Sequence, residues 1–293
     1  MMKRFVCSII VLLAGLAVMR PAAAQFAIQM DLGRKTFLAN EPITATVTLT
    51  NRSGANVVMG GSGNRNWLRF LMEDSSGRQY PPVEVEADQP FMFQAGETMQ
   101  RRVEISNTAM VSDIGTYSVK AVAFHPPTGN YYESNRVLFS ITEVKPTWEA
   151  SFGVPPQYEN AGRVRVYGLI LLRHETGTWL YFRLRDEGSQ LVLKTYSLGP
   201  ISQALDPVFT VDRENIMHAF FLAAPRIFSH VIIGPDGKLI SRRYYKEQKE
   251  DRPMLVSNGG VLSVIGGAPY DPNAPTPEQQ SPTRGVSERP PGL

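Results

Sequence analysis

Ile43-Thr44-Ala45-Thr46-Val47-Thr48-Leu49-Thr50 alternates an apolar side chain with a threonine at every step. Successive side chains of an extended strand point to opposite faces, so Ile43, Ala45, Val47 and Leu49 line one face of a sheet and the four threonines line the other. A sheet with one apolar face has to bury that face against a second layer, which makes this stretch part of a sheet packed on one side.

The same pattern extends in both directions. Phe26, Ile28, Met30 and Leu32 alternate with polar or small residues. Further strands are expected at Trp67–Met72, Thr98–Ser106, Gly115–Phe124 and Tyr131–Ile141, separated by turn clusters such as Asn51-Arg52-Ser53-Gly54 and Asp74-Ser75-Ser76-Gly77. Asn51-Arg52-Ser53 has the form of a glycosylation sequon and is read as a turn. Roughly seven short strands between residues 25 and 143 predict a β-sandwich.

One motif sharpens that expectation. Asp113-Ile114-Gly115-Thr116-Tyr117-Ser118-Val119 resembles the tyrosine corner of immunoglobulin-like domains. The resemblance implies an immunoglobulin-like fold in which the Tyr117 hydroxyl hydrogen-bonds backward to the backbone. Val119 then stands where such domains carry their second cysteine. An apolar contact with Val47 or Leu49 replaces the disulfide, and Trp67 joins the same core. The fold hosts adhesion, inhibition and chaperoning alike, so it implies no single function.

Between residues 144 and 162 the alternation lapses, and Pro146, Pro155 and Pro156 stiffen the chain; this segment is read as a linker. From 163 to 267 an internal repeat emerges. Pro207–Asp212 with Ile216–Phe220 matches Pro253–Ser257 with Val261–Ile265, and Ala224-Pro225 after the first copy matches Ala268-Pro269 after the second. Trp179–Asp186 with Gln190–Leu198 likewise matches Phe228–Ile233 with Lys238–Tyr245. A period of about 45 residues with four strands per unit resembles β-propeller blades. The resemblance implies propeller-like antiparallel β-repeats, but only about two blades are present where a propeller closes with four to eight. Either the repeats close on themselves as a small twisted sandwich, which is the simpler expectation, or several chains complete a ring as an oligomer. Seven prolines between Ala268 and Leu293 and few large apolar residues predict a disordered tail over 268–293.

Lys3 and Arg4, the apolar run Phe5–Met19, Pro21 and Ala22-Ala23-Ala24 form the pattern of a signal peptide over residues 1–24, cut between Ala24 and Gln25. The run is too short to span a bilayer, so no transmembrane segment is expected after cleavage. The only cysteine, Cys7, lies inside this segment, leaving neither a thiol nucleophile nor a disulfide to the remainder. Removing Lys3, Arg4 and Arg20 from the 30 basic residues leaves 27 against 27 acidic ones, and a neutral chain exerts no long-range attraction on nucleic acid. Together these features predict a protein exported to the bacterial periplasm or envelope, or secreted.

Chemistry-bearing motifs are sparse, and no cofactor or metal is expected. Gly60-Gly61-Ser62-Gly63-Asn64 misses a nucleophile elbow by one residue, and His174-Glu175 has no second histidine at helical spacing. His218 and His230 lie on successive strands, where a hairpin centred on residue 224 sets them opposite each other with Asp212 and Glu214 nearby. They read as core histidines or, alternatively, as a metal or proton-transfer pair of a hydrolase. Arg242-Arg243-Tyr244-Tyr245 interleaves cations with aromatic rings, as glycan- and polyanion-binding surfaces do. The sequence therefore points to a non-catalytic envelope protein that binds a protein or polysaccharide partner. The alternatives are a hydrolase built on the His218/His230 region and a protease inhibitor using the loop Met59–Asn66.

Overall fold

The alternation read along the chain is realised as paired strands in the structure of the protein, a computed structural model that describes residues 25–61, 66–87, 89–106, 113–249 and 251–274. The signal peptide with Ala24, residues 62–65 of the Met59–Asn66 loop and the chain beyond 274 lie outside the described residues. The protein is all-β, and among the described residues no helix is long and apolar enough to cross a membrane. The chain divides into two compact units, with the boundary between Lys145 and Pro146.

Among the described residues the first unit contains eleven strands: β1 (Phe26–Asp31), β2 (Thr36–Leu38), β3 (Thr44–Asn51), β4 (Val57–Met59), β5 (Leu68–Asp74), β6 (Val83–Val85), β7 (Phe91–Phe93), β8 (Thr98–Glu104), β9 (Gly115–His125), β10 (Asn130–Glu133) and β11 (Val137–Thr142). They form a three-stranded sheet in the order β1-β3-β8 and a larger sheet β2-β11-β9-β5-β6, with β10 pairing β9 and a small β4-β7 pair. The apolar face read from Ile43 to Leu49 is buried in one core cluster with Phe26, Trp67, Phe70, Tyr117, Val119 and Phe139. Burying each large side chain stabilises the fold by roughly 1.5–3 kcal/mol.

Polar groups in this core are tied to the backbone. The Asn51 amide nitrogen donates to the carbonyls of Ala55, Phe93 and Gln94 at 2.9, 3.0 and 3.0 Å, so the sequon asparagine is a turn anchor. Glu41 is 2% exposed, accepts the Leu38 N–H and pairs with Arg34, while burial pushes its carboxyl above the ordinary range. The strand expected at Tyr131–Ile141 is interrupted between Glu133 and Val137. There Asn135 pairs side chain to backbone with Met30, accepting its N–H at 2.9 Å and donating to its carbonyl at 3.0 Å.

The second unit contains β12 (Trp148–Gly153), β13 (Val164–His174), β14 (Gly177–Asp186), β15 (Val192–Pro200), β16 (Val208–Val211), β17 (Met217–Ala224), β18 (Ile227–Ile233), β19 (Leu239–Lys246), β20 (Met254–Asn258), β21 (Val261–Ile265) and β22 (Ala268–Tyr270). A four-stranded sheet β12-β13-β14-β15 and a five-stranded sheet β16-β17-β18-β19-β22 are accompanied by the separate hairpin β20-β21.

Three expectations are corrected here. Segment 144–162 is not a linker throughout, because Trp148–Gly153 is strand β12, paired along its length with β13. The small residues Ala150 and Ser151 hide its alternation. Residues 268–270 are not tail but strand β22, paired with β19. The chain enters β22 through Gly267 at φ +68°, where a Cβ would collide with the Pro253 ring, so only glycine fits this close approach.

The third correction is that no propeller is found. The repeat is real at the level of hairpins, since β16–β17 and β20–β21 are both antiparallel pairs, as are β14–β15 and β18–β19. Its copies nevertheless occupy different positions. One core draws Tyr167, Leu180 and Phe182 from the four-stranded sheet and Met217, Phe221 and Val231 from the five-stranded one. Two sheets that bury their apolar faces in a common core need no further blades to complete them.

Candidate functional site

The β16–β17 turn is the starting point. The Asp212 carboxylate accepts the backbone N–H groups of Glu214 at 3.0 Å and Ile216 at 2.8 Å through Oδ1, an Asx-type turn that aims Oδ2 at the sheet. Asn215, in the left-handed region at φ 60°, completes the turn. Its amide donates to the Gly153 carbonyl at 3.0 Å, and its own carbonyl accepts the Tyr167 hydroxyl at 2.9 Å. These two anchors, invisible in the local sequence, fix the turn to β12 and β13.

From that carboxylate a hydrogen-bonded chain runs across the sheet. Asp212 Oδ2 lies 3.3 Å from His218 Nε2, and His218 Nδ1 lies 3.0 Å from His230 Nε2. A His218 tautomer that donates Nε2–H to the carboxylate leaves Nδ1 to accept from His230 Nε2–H. The two histidines are not directly opposite, as a hairpin centred on residue 224 required. His218 pairs with Ile232 and His230 with Phe220, and the register shifts between Leu222 and Ala224. The histidines are diagonal neighbours on one face, with rings stacked at 5.3 Å.

Both imidazoles are buried, at 5% and 4% exposure. Burial first, then repulsion from His218 and Arg243, pushes His230 down to about 4, so it is neutral at physiological pH. Phe220 sits edge-on to its ring at 6.3 Å. Glu214 enters only through its backbone, and among the described residues no group of three or more His, Cys, Asp or Glu is placed to hold a metal ion. The remaining histidines are local: His125 Nδ1 meets Thr128 Oγ1 at 2.8 Å, and His174 Nε2 meets the Tyr181 hydroxyl at 2.8 Å.

Beside this pair lies the cation–aromatic strand. Arg243 is opposite His230 and Tyr245 opposite Phe228, while Arg242 and Tyr244 alternate to the other face beside Val231 and Ser229. Strand β22 extends the sheet, setting Tyr270 against Tyr244 and Pro269 against Tyr245. Between them opens a groove of about 450 Å³ lined by Arg242, Arg243, Tyr244, Tyr245, Tyr270 and Asn273. Arg242 Nε is buried with no hydrogen-bond partner among the described residues.

Sequence reading misses the β22 wall of this groove, because Pro269 and Pro272 give it the composition of a tail. The signal that finds it is the repeat, in which Ala268-Pro269 matches Ala224-Pro225 at the end of strand β17, with the aromatic Tyr270 directly following.

The tyrosine-corner residues of the first unit are located as well. The Tyr117 hydroxyl donates to the Asp113 carbonyl at 2.8 Å, and its ring stacks on Phe139 at 5.4 Å. Gly115 opens β9, and Val119 is buried at 1%.

No family model matches the chain, and no curated protein matches it. Among solved structures, it resembles the Pseudomonas fluorescens alkylpurine DNA glycosylase AlkC bound to abasic-site DNA at 15% identity and TM-score 0.28, covering 41% of this chain and 31% of that one. A Listeria innocua β-glucosidase in complex with laminaribiose matches at 17% identity and TM-score 0.24, covering 41% and 16%. Bacillus subtilis sporulation control protein Spo0M matches at 9% identity and TM-score 0.28, covering 76% and 91%. The chain thus spans a third or less of the first two. At these TM-scores the likenesses carry no functional argument.

Proposed function

We propose that this protein is an exported, non-catalytic cell-envelope protein that binds an acidic polysaccharide along the β19–β22 groove. The observation that carries the reading is the groove itself, which Arg242, Arg243, Tyr244, Tyr245 and Tyr270 line. Tyrosine rings offer flat apolar faces for sugar rings, and guanidinium groups take carboxylates in a bidentate fork. The leader pattern of residues 1–24 supports export. The Tyr117–Asp113 hydrogen bond and the strand order of the first unit support reading that unit as an immunoglobulin-like sandwich.

Affinity electrophoresis in gels containing alginate, a polyuronate, tests the binding, with dextran as the neutral control. Retardation by alginate but not dextran, lost in Tyr245→Ala and Arg243→Gln, is expected. Equal mobility with and without alginate overturns the reading. N-terminal sequencing of the exported protein is expected to begin at Gln25, and an intact Met1 in the envelope fraction contradicts export by cleavage.

A further inference from the structure

A second concavity opens on the outer face of the five-stranded sheet, next to β20. Its volume is about 340 Å³, within the range that encloses compact ligands. The floor is apolar. The Phe220 and Phe228 rings stack at 5.4 Å and 11°, and Leu222 and Leu255 belong to the same small cluster.

Two charges of opposite sign line this cavity, Arg252 just before β20 and Asp206 just before β16. Neither side chain makes an ion pair or hydrogen bond among the described residues. The Arg252 guanidinium lies 5.4 Å from the Phe228 ring centroid. That cation–π contact keeps the charge near the floor while its N–H donors remain available. A simple carboxylate entering the cavity would be attracted by Arg252 and repelled by Asp206, and a simple amine would meet the reverse. A ligand carrying both charges at one end of an apolar body satisfies both walls and the floor together.

From this combination we infer that the cavity binds a bulky apolar α-amino acid. Its side chain rests on the Phe220–Phe228 floor, its carboxylate meets Arg252 and its ammonium faces Asp206. This site is separate from the β19–β22 groove, and its test does not depend on polysaccharide binding.

Isothermal titration of the full chain with three probes decides the matter: L-phenylalanine, 3-phenylpropionate, which lacks the ammonium, and 2-phenylethylamine, which lacks the carboxylate. L-phenylalanine is expected to bind at least about tenfold more tightly than either single-charge probe, as one charge-assisted hydrogen bond implies. Arg252→Gln should weaken L-phenylalanine and 3-phenylpropionate while leaving 2-phenylethylamine unchanged, and Asp206→Asn should do the converse. Both residues are exposed, so the variants are expected to keep the wild-type circular dichroism spectrum. Equal affinity for all three probes, L-phenylalanine binding insensitive to both substitutions, or no binding of any probe overturns the inference.

Discussion

On one face of the five-stranded sheet, Met217, Ala219, Phe221, Val231 and Ile233 are buried in a hydrophobic core shared with the four-stranded sheet. One residue along on the same strands, His218, Phe220, Leu222, Phe228 and His230 are also buried, yet this face carries a hydrogen-bonded imidazole pair and a cavity. The first face is closed by a whole second sheet. Among the described residues, the other is covered by Leu205 and by Leu255 and Val264 of the two-stranded β20–β21 hairpin. Partial cover is what leaves room for polar groups and for a cavity.

The comparison is broken most directly by truncation. Phe221→Ala, on the closed face, is expected to cost about 3–5 kcal/mol in chemical denaturation, because a close-packed core cannot collapse around the void. Leu222→Ala, facing the hairpin, should cost about 2 kcal/mol, at the low end for its type, since a loosely covered site relaxes more. Equal losses would erase the distinction between the faces.

The next effect is acid sensitivity of the outer face. Well above pH 6.5 His230 is neutral whether the chain is folded or not. As pH falls below 6.5 the unfolded chain takes up the proton first, while the folded state resists until about 4, so the unfolded state binds more protons and stability falls through that window. The loss should amount to about 2–3 kcal/mol by pH 4. Asp212, His218 and Arg243 face this group, so a His230→Phe variant, which retains all three, should show a shallower decline. Parallel pH profiles for the two proteins would mean that His230 is not held neutral.

The first unit supplies a sharper contrast, since its buried Tyr117 hydroxyl donates to a backbone carbonyl. Tyr117→Phe should cost about 1–2 kcal/mol, through loss of the hydrogen bond to the Asp113 carbonyl, by an amount that stays constant as His230 titrates. An unchanged denaturation midpoint would remove the tyrosine corner from the stabilising contacts. The smallest effect on stability belongs to Arg243→Gln, expected within about 0.5 kcal/mol of wild type at this exposed position. A larger loss there would mean that the residue supports the fold and not only the groove.

How far the candidate site was legible follows from the range of each signal. Arg242, Arg243, Tyr244 and Tyr245 are contiguous, and His218 and His230 sit twelve residues apart on adjoining strands, so their proximity could be read from the chain. The diagonal relation of the histidines could not, because it depends on a register shift near Leu222 that no turn residue announces. Tyr167 and Asn215, which anchor the Asp212 turn, are 48 residues apart and meet only when two sheets pack.

The sequence by itself determined the all-β character and the positions of most strands, because side-chain alternation with period two is a property of neighbouring residues. It also determined that hairpins recur between residues 163 and 267. The tertiary structure alone decided which hairpins joined the five-stranded sheet and which stayed apart, that Trp148–Gly153 and Ala268–Tyr270 became strands, and that two sheets shared a core instead of forming a propeller. Those outcomes rest on pairing between distant segments and on which apolar faces can cover one another, and neither is encoded in any single stretch of the chain.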